Sequence, residues 1–221
     1  SFIIFPGCLP RFFWEEAQFY EEDNQGRLWM INTDSIHVLN KAYTKMKSIA
    51  TNSPIRFGNT IKDKRGVIWI GTASKGILMV DPNGPFAEVL DESDGLMDGQ
   101  IRSMEEDHRG DVWLGTQDGI NIYNPSTKTL KAIDDATLQN PNSRNIFLIK
   151  EFEKDNVFVD RDQEGFILIN RKEKVLTHYL KTQEIAQRIY GAIKDKEGTY
   201  WLGSSNGLAV YNPVSNDYKI I

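Results

Sequence analysis

The chain has 221 residues, of which 40% are hydrophobic and 11% aromatic, a composition that supports a sizeable buried core in one domain spanning residues 1–221. The formal net charge is −5 and no run of Lys or Arg forms a basic stripe, which argues against a nucleic-acid partner. Cys8 is the only cysteine, so it has no partner for an intramolecular disulfide.

The start of the chain resembles the end of a structural repeat. Phe2 lies 27 residues before Trp29, just as Phe86 lies 27 residues before Trp113, so residues 2–5 are predicted to form the outermost strand of a preceding repeat. This apolar stretch is too short to cross a bilayer, and neither a Met nor a signal peptide opens the chain. We therefore expect an excised fragment without direct membrane contact.

Residues 9–20, LPRFFWEEAQFY, form an unusually aromatic connection into the first repeat. Phe13 and Trp14 can stack on a sugar ring or fill a partner surface. Large apolar residues are more often buried than functional, so coverage of an open core end is the alternative.

A motif of the form D-x-x-G-x-x-W recurs along the chain. Its last position is occupied at intervals of 40, 44, 45 and 43 residues by Trp29, Trp69, Trp113, Phe158 and Trp201. Asp and Gly suit a tight turn, and the apolar residues around each Trp predict a short buried strand. In the third copy, Asp118-Gly119 then predicts a hairpin loop.

A period of about 40 to 50 residues with several strands per repeat is typical of β-propeller blades. We predict an all-β propeller of about five four-stranded blades, with repeats at approximately 1–40, 41–84, 85–128, 129–172 and 173–221. It is either a fragment of a larger propeller array or a five-bladed ring. An open array would leave apolar blade faces in water, at about 25 cal/mol per Å² of apolar area, so ring closure or self-association through those faces is expected.

Each innermost strand is predicted just before the motif turn, at residues 17–22, 57–62, 101–106, 146–151 and 189–194. The residues preceding these strands are Glu16, Arg56, Gln100, Asn145 and Arg188. Equivalent positions of a propeller surround its central channel, so the two arginines and two amides are candidates for binding an anionic or polyhydroxyl ligand at one mouth. A solvated rim without a ligand is the alternative.

The fourth repeat departs from the pattern. Asp160-Arg161 replaces the Gly-Thr of other repeats, and Asp155 stands at the turn-glycine position. Relaxed packing of a terminal or unstacked blade is the favoured explanation. The acidic residues here lack the spacing of a calcium loop, and the three histidines lie in three different repeats, so no metal, cofactor or catalytic residue is predicted.

The segments IKDKRGVIWIGT, MEEDHRGDVWLGT and IKDKEGTYWLGS, with their continuations GILMVDP, GINIYNP and GLAVYNP, resemble the two-component regulator propeller repeats. The stretch SDGLMDGQIRSMEED is similar to the typical lead-in to such a blade. The resemblance covers nearly the whole chain and implies the periplasmic sensory domain of a hybrid histidine kinase, whose kinase domain lies elsewhere in the parent protein.

For that family the implied ligands are glycan fragments, so the resemblance implies a non-catalytic module that binds an oligosaccharide or another small molecule. A propeller-fold lyase or glycosidase is a second hypothesis, because fold alone does not decide function. A protein-binding scaffold is a third.

Overall fold

The computed structural model describes residues 19–42, 44–51, 54–84, 88–133, 145–161, 165–172, 175–179 and 188–221. Phe13, Trp14 and Glu16 lie outside these ranges. Within the described residues there are five antiparallel sheets, and each consists of four strands consecutive in the chain. We call them blades 1 to 5. The predicted all-β propeller architecture of about five four-stranded blades is confirmed.

The strands of the five blades follow one another along the chain. Blade 1 has β1 (Phe19–Glu22), β2 (Leu28–Ile31), β3 (Ser35–Leu39) and β4 (Lys45–Ala50), and blade 2 has β5 (Ile55–Lys62), β6 (Ile68–Thr72), β7 (Ile77–Val80) and β8 (Glu88–Leu90). Blade 3 has β9 (Ile101–Glu106), β10 (Val112–Thr116), β11 (Ile120–Asn124) and β12 (Thr129–Ala132), after a 3₁₀ turn at Glu92–Asp94. Blade 4 has β13 (Ile149–Glu153), β14 (Asn156–Arg161), β15 (Gly165–Asn170) and β16 (Val175–Tyr179), and blade 5 has β17 (Ile189–Lys194), β18 (Tyr200–Ser204), β19 (Gly207–Asn212) and β20 (Asp217–Ile220).

The chain divides into two compact units, Ser1–Leu90 and Asp91–Ile221. Blades 1 and 2 belong to the first unit, where β1 lies beside β5 and one core joins Trp29 to Ile68 and Ile70. Blades 3, 4 and 5 belong to the second unit, where β13 lies beside both β9 and β17. The first strands of consecutive blades are therefore neighbours within each unit.

Blade 4 is packed on both faces. One face contributes Val157 and Val159 to a core with Trp113 of blade 3, and the other contributes Phe158 to a core with Tyr200 and Leu202 of blade 5. The expectation that the fourth repeat diverged because its blade is terminal or unstacked is wrong. Its divergence is compatible with a fully buried interior, because large apolar side chains fill the space on both sides.

Three of the predicted first strands differ from the structure at their beginnings. The first strand of blade 1 begins at Phe19 rather than at residue 17. The first strand of blade 2 begins at Ile55, so Arg56 lies inside the strand and not before it. That of blade 4 begins only at Ile149, because the preceding segment bonds elsewhere: the Ile146 N–H donates to the Thr116 carbonyl of blade 3 over 3.1 Å.

Candidate ligand-binding rim

The two ends of the blades have different chemistry, and the motif turns occupy one of them. In blade 3 the Asp107 carboxylate accepts the indole N–H of Trp113 at 2.9 Å and the backbone N–H groups of Arg109 and Asp111 at 2.9 and 3.0 Å. The equivalent Trp-to-Asp bonds in blades 1, 2 and 5 measure 2.8, 2.9 and 2.8 Å. This end of the repeat is a structural device that fixes the hairpin to the core.

In two of these turns the hydrogen bonds that the carboxylate accepts lower its pKa. The indole N–H of Trp201 and backbone N–H groups lower the pKa of Asp195. Burial by itself raises the pKa of Asp23, but the bonds from Trp29 and Arg27 outweigh it and leave this pKa below its usual value.

Blade 4 replaces this arrangement with an aromatic contact. Phe152 occupies the Asp position and Phe158 the Trp position, and their rings meet edge to face with centroids 5.7 Å apart. Asp155 takes the turn-glycine position with φ 68°, in line with its predicted place.

Polar side chains link this turn end of blade 4 to blade 3. Arg171 bonds to Asp107 and Asp111, and these carboxylates raise its pKa although burial opposes the shift. The His108 ring, at a turn position, has Nδ1 2.7 Å from the Glu151 carboxylate. These residues have structural partners already, so they are not available for a ligand.

The opposite end of blades 3, 4 and 5, where the first strands begin, is the candidate site, and we call it the rim. On blade 3 the Arg102 guanidinium donates to Gln117 Oε1 at 3.1 Å, and the Gln117 N–H donates to the Gln100 carbonyl at 3.2 Å. The Gln100 N–H is itself held by Asp98 at 2.7 Å. Backbone and side-chain bonds thus fix this part of the rim.

Phe147 of blade 4 connects the rim residues of three blades. The guanidinium carbon of Arg188, which immediately precedes β17, lies 3.7 Å from the centroid of its ring. The guanidinium carbon of Arg102 lies 5.3 Å from the same centroid. One aromatic ring therefore lies within the range of cation–π attraction of two guanidinium groups from neighbouring blades.

Asn145 lies next to this cluster in the chain. Its Oδ1 atom is buried and accepts no hydrogen bond. The neighbouring Ile146 is fixed by the Ser103 hydroxyl, which donates to the Ile146 carbonyl at 2.9 Å. A buried polar atom without a partner is uncommon in native proteins and often marks a place where water or a ligand binds.

The structure places the sequence-predicted site residues unevenly. Gln100, Asn145 and Arg188 lie at the rim of the second unit. Arg56 lies within β5 of the first unit, and its side chain is outside the described part of the structure. Phe13 and Trp14 also lie outside the described residues.

Sequence reasoning missed Arg102, Phe147 and Tyr190, which share one position of the repeat. Each lies 11 residues before the Trp or Phe anchor of its blade and two residues after Gln100, Asn145 or Arg188. Successive residues of an extended chain point to opposite faces, and the isoleucine between the two residues of each pair is buried. Arg102, Phe147 and Tyr190 are therefore expected on the same side as the residues two positions before them. This alternation was readable in the sequence.

Arg102 and Tyr190 each lie at a β-bulge. The register of β9 on β10 shifts between Gly115 and Thr116, which leaves Arg102 as an extra residue, and the register of β17 shifts around Tyr190. Such β-bulges redirect side chains and are frequent beside functional sites. Tyr190 is 65% exposed.

Among the residues that the structure describes, no group of three or more His, Cys, Asp or Glu side chains is arranged to hold a metal ion. In the same part of the chain, no helix has the length and apolar character needed to span a membrane.

Comparison with known proteins identifies the repeat. The family described as two component regulator propeller matches residues 95–118, which contain β9, the motif turn and β10 of blade 3. Residues 95–118 carry the two-component regulator propeller repeat. This confirms the resemblance found in the sequence.

A histidine kinase and the extracellular domain of a two-component system are each similar to most of the chain. Histidine kinase P4 of Formosa agariphila is 26% identical over 197 residues, which cover 84% of this chain and 14% of that protein. The extracellular domain of a hybrid two-component system from B. thetaiotaomicron has 16% identity and a TM-score of 0.72, covering 99% of this chain and 31% of that one. The chain thus spans a minor part of the length of both.

Virginiamycin B lyase from Staphylococcus aureus is also similar in structure, with 13% identity and a TM-score of 0.67 over 92% of this chain and 69% of that one. At these identities the solved structures show a shared fold, and the propeller repeat itself is compatible with both kinds of protein.

Proposed function

We propose that this chain is a non-catalytic, ligand-sensing propeller in the periplasmic part of a hybrid two-component sensor kinase. Its ligand is a glycan fragment, and the site is the rim formed by Gln100, Arg102, Asn145, Phe147, Arg188 and Tyr190. The observation that carries this proposal is the occurrence of the rim cluster on a propeller that bears the sensor-type repeat.

The names of the relatives support the sensor class. One is a histidine kinase and another is the extracellular domain of a hybrid two-component system. The signalling enzyme would lie outside this chain, and a ligand would act by binding one arrangement of the whole sensor more tightly than another.

The chemistry of the rim supports a polyhydroxyl ligand. Arginine forks and amides bind hydroxyl and carboxylate oxygens in defined directions, and an exposed tyrosine ring provides a face on which a sugar can stack. Arg188 and Tyr190 are both exposed at the start of β17, and Asn145 brings a buried acceptor without a donor.

Self-association through exposed blade faces belongs to the same proposal. On blade 5 the apolar side chains of Ile193 and Val214 are 64% and 94% exposed. Exposed apolar groups of this size favour burial against another surface. Light scattering of the wild-type chain and of Ile193→Lys would test this, with the substitution expected to reduce the average mass if the face is used.

A thermal-shift screen of the full chain against an oligosaccharide library tests the ligand. We expect a rise in Tm with one glycan class that is abolished in Arg188→Ala and retained in Arg109→Ala, whose arginine lies at the turn end of blade 3. No shift with any glycan would contradict the proposed function, and cleavage of a glycan during the assay would contradict its non-catalytic part.

A further inference from the structure

We infer that the rim is specific for acidic oligosaccharides and binds a carboxylate or sulfate group of the sugar between Arg102 and Arg188. This inference rests on the proposed function and narrows its ligand class. It follows from how the two guanidinium groups are held and from what surrounds them.

Arg188 differs from the arginines at the turn ends of the blades. Arg27, Arg65, Arg109 and Arg171 each form an ion pair with an aspartate carboxylate. Arg188 is exposed and forms no salt bridge with a carboxylate of the described residues, and its guanidinium lies over the Phe147 ring. A positive charge is thus presented to solvent at the rim without a neutralising partner from this part of the chain.

The Phe147 ring pre-organises the site for an anion. Stacking on an aromatic face leaves the N–H groups at the edge of a guanidinium directed outward, and those groups match the two oxygens of a carboxylate. Arg102 is also restrained by its bond to Gln117 Oε1, so the ordering cost is partly met before a ligand arrives.

Of two acidic residues near the rim, Asp98 is bonded to the backbone and Asp160 is buried. Asp98 accepts the Gln100 N–H at 2.7 Å, and Asp160 is 1% exposed beside Arg161, which is 3% exposed. Among the described residues no carboxylate pairs with Arg188, and its exposed guanidinium therefore favours an acidic sugar over a neutral one.

The remaining rim groups suit the rest of a sugar. The Tyr190 ring is 65% exposed and has no ring contact among the described residues, so it is available for stacking on a pyranose face. The buried Asn145 Oδ1 can accept a sugar hydroxyl. An anion alone would leave both groups unused, which is why we assign an acidic oligosaccharide and not a small inorganic anion.

Calorimetric titration of the full chain tests the assignment. The ligands are oligogalacturonate, oligomannuronate and a sulfated oligogalactan, each compared with its neutral form after carboxyl reduction or desulfation. We expect at least one acidic member to bind roughly ten- to a hundredfold more tightly than its neutral form, as charge-assisted hydrogen bonds imply. The carboxylated and sulfated members distinguish the two sources of the anion.

Substitutions of Arg188, with Arg109 as the control, test whether the acidic ligand binds at the rim. Arg188→Gln is expected to weaken binding of the acidic ligand at least tenfold and binding of the neutral form by a smaller factor, and Arg188→Lys is expected to recover part of the loss for the acidic ligand. Arg109→Gln removes the same charge at the turn end and serves as the matched control, with unchanged affinity expected. Because the Arg188 side chain is exposed, its substitution should leave the Tm of the free chain within error.

The outcomes separate this inference from the function it rests on. Neutral and acidic forms binding equally, or acidic binding unaffected by Arg188→Gln, would overturn the acidic assignment and leave glycan sensing intact. Binding of inorganic sulfate as tightly as any acidic oligosaccharide would also overturn it. If no acidic or neutral oligosaccharide binds in these titrations, both the acidic assignment and glycan sensing are contradicted.

Discussion

Blades 3 and 4 solve the same packing problem with opposite chemistry. In blade 3 the buried Asp107 carboxylate accepts hydrogen bonds from an indole and from two backbone N–H groups. In blade 4 the aromatic pair of Phe152 and Phe158 fills the equivalent space. Both blades bury their anchor completely, since Trp113 and Phe158 are each 0% exposed. The comparison shows that the repeat requires a filled core at this point, while the hydrogen bond is one of two ways to secure the turn.

The largest effect should come from Asp107→Ala. This substitution leaves the Trp113 indole and two backbone N–H groups without their acceptor in a buried site and removes one of the two carboxylate partners of Arg171, so we expect a loss of about 3–5 kcal/mol in the free energy of unfolding. Denaturant unfolding measures it. Asp195→Ala in blade 5, where the turn is more exposed, is the control and should cost less; equal losses would contradict the role given to Arg171.

A double-mutant cycle can convert blade 4 toward the blade 3 arrangement. Phe152→Asp alone places a carboxylate against Phe158 and Tyr200 and should cost about 2–3 kcal/mol. Adding Phe158→Trp supplies an indole donor, so the double variant should be about 1 kcal/mol more stable than the sum of the single effects predicts. Additive losses in chemical denaturation would show that blade 4 cannot accept the hydrogen-bonded turn.

Gly115→Ala tests how closely blades 3 and 4 approach at the rim. A Cβ at this position would lie 2.3 Å from the Ser103 hydroxyl and 2.8 Å from the Ile146 carbonyl, so we expect a loss of about 1–3 kcal/mol. Gly203 holds the same repeat position in blade 5, and a Cβ there would have its nearest neighbour at 3.7 Å. Gly203→Ala should therefore change the Tm little; a comparable drop in both variants would refute the steric explanation.

The smallest difference concerns the turn position occupied by Gly110 and Asp155. Gly110 has φ 82° and a Cβ there would meet only the Glu106 side chain at 3.7 Å, so Gly110→Ala should cost about 1 kcal/mol through backbone strain alone. Asp155→Gly relieves such strain but loses the exposed ion pair with Arg109, so its net effect should lie within about 1 kcal/mol of zero. Thermal unfolding of both variants decides whether Asp155 is kept for the turn or for its charge.

Blades 3 and 4 also differ in what they contribute to the rim. Blade 3 contributes Arg102 on a β-bulge, while blade 4 contributes Phe147 from a segment whose Ile146 N–H bonds to blade 3. The displaced start of β13 thus brings the Phe147 ring of blade 4 within cation–π range of one arginine from each of the two neighbouring blades. Blade 4 is where the repeat is least regular and where it contributes most to the candidate site.

The repeat could be predicted from the amino-acid sequence alone. The spacing of the anchors, the turn signals and the alternation of apolar residues predicted five four-stranded blades, because each blade forms from local hairpins whose strands are adjacent in the chain. The positions of Gln100 and Arg188 immediately before the first strands of blades 3 and 5 followed from the same period.

The contacts between side chains of different blades became known only from the tertiary structure. The stacking of Arg102 and Arg188 on Phe147 joins residues from three blades that are more than 40 positions apart, and no local pattern specifies such a contact. The replacement of the Asp–Trp bond by a Phe–Phe contact also became evident only when both faces of blade 4 were seen to be buried. Hairpins depend on short-range sequence, whereas a site between blades depends on packing between repeats.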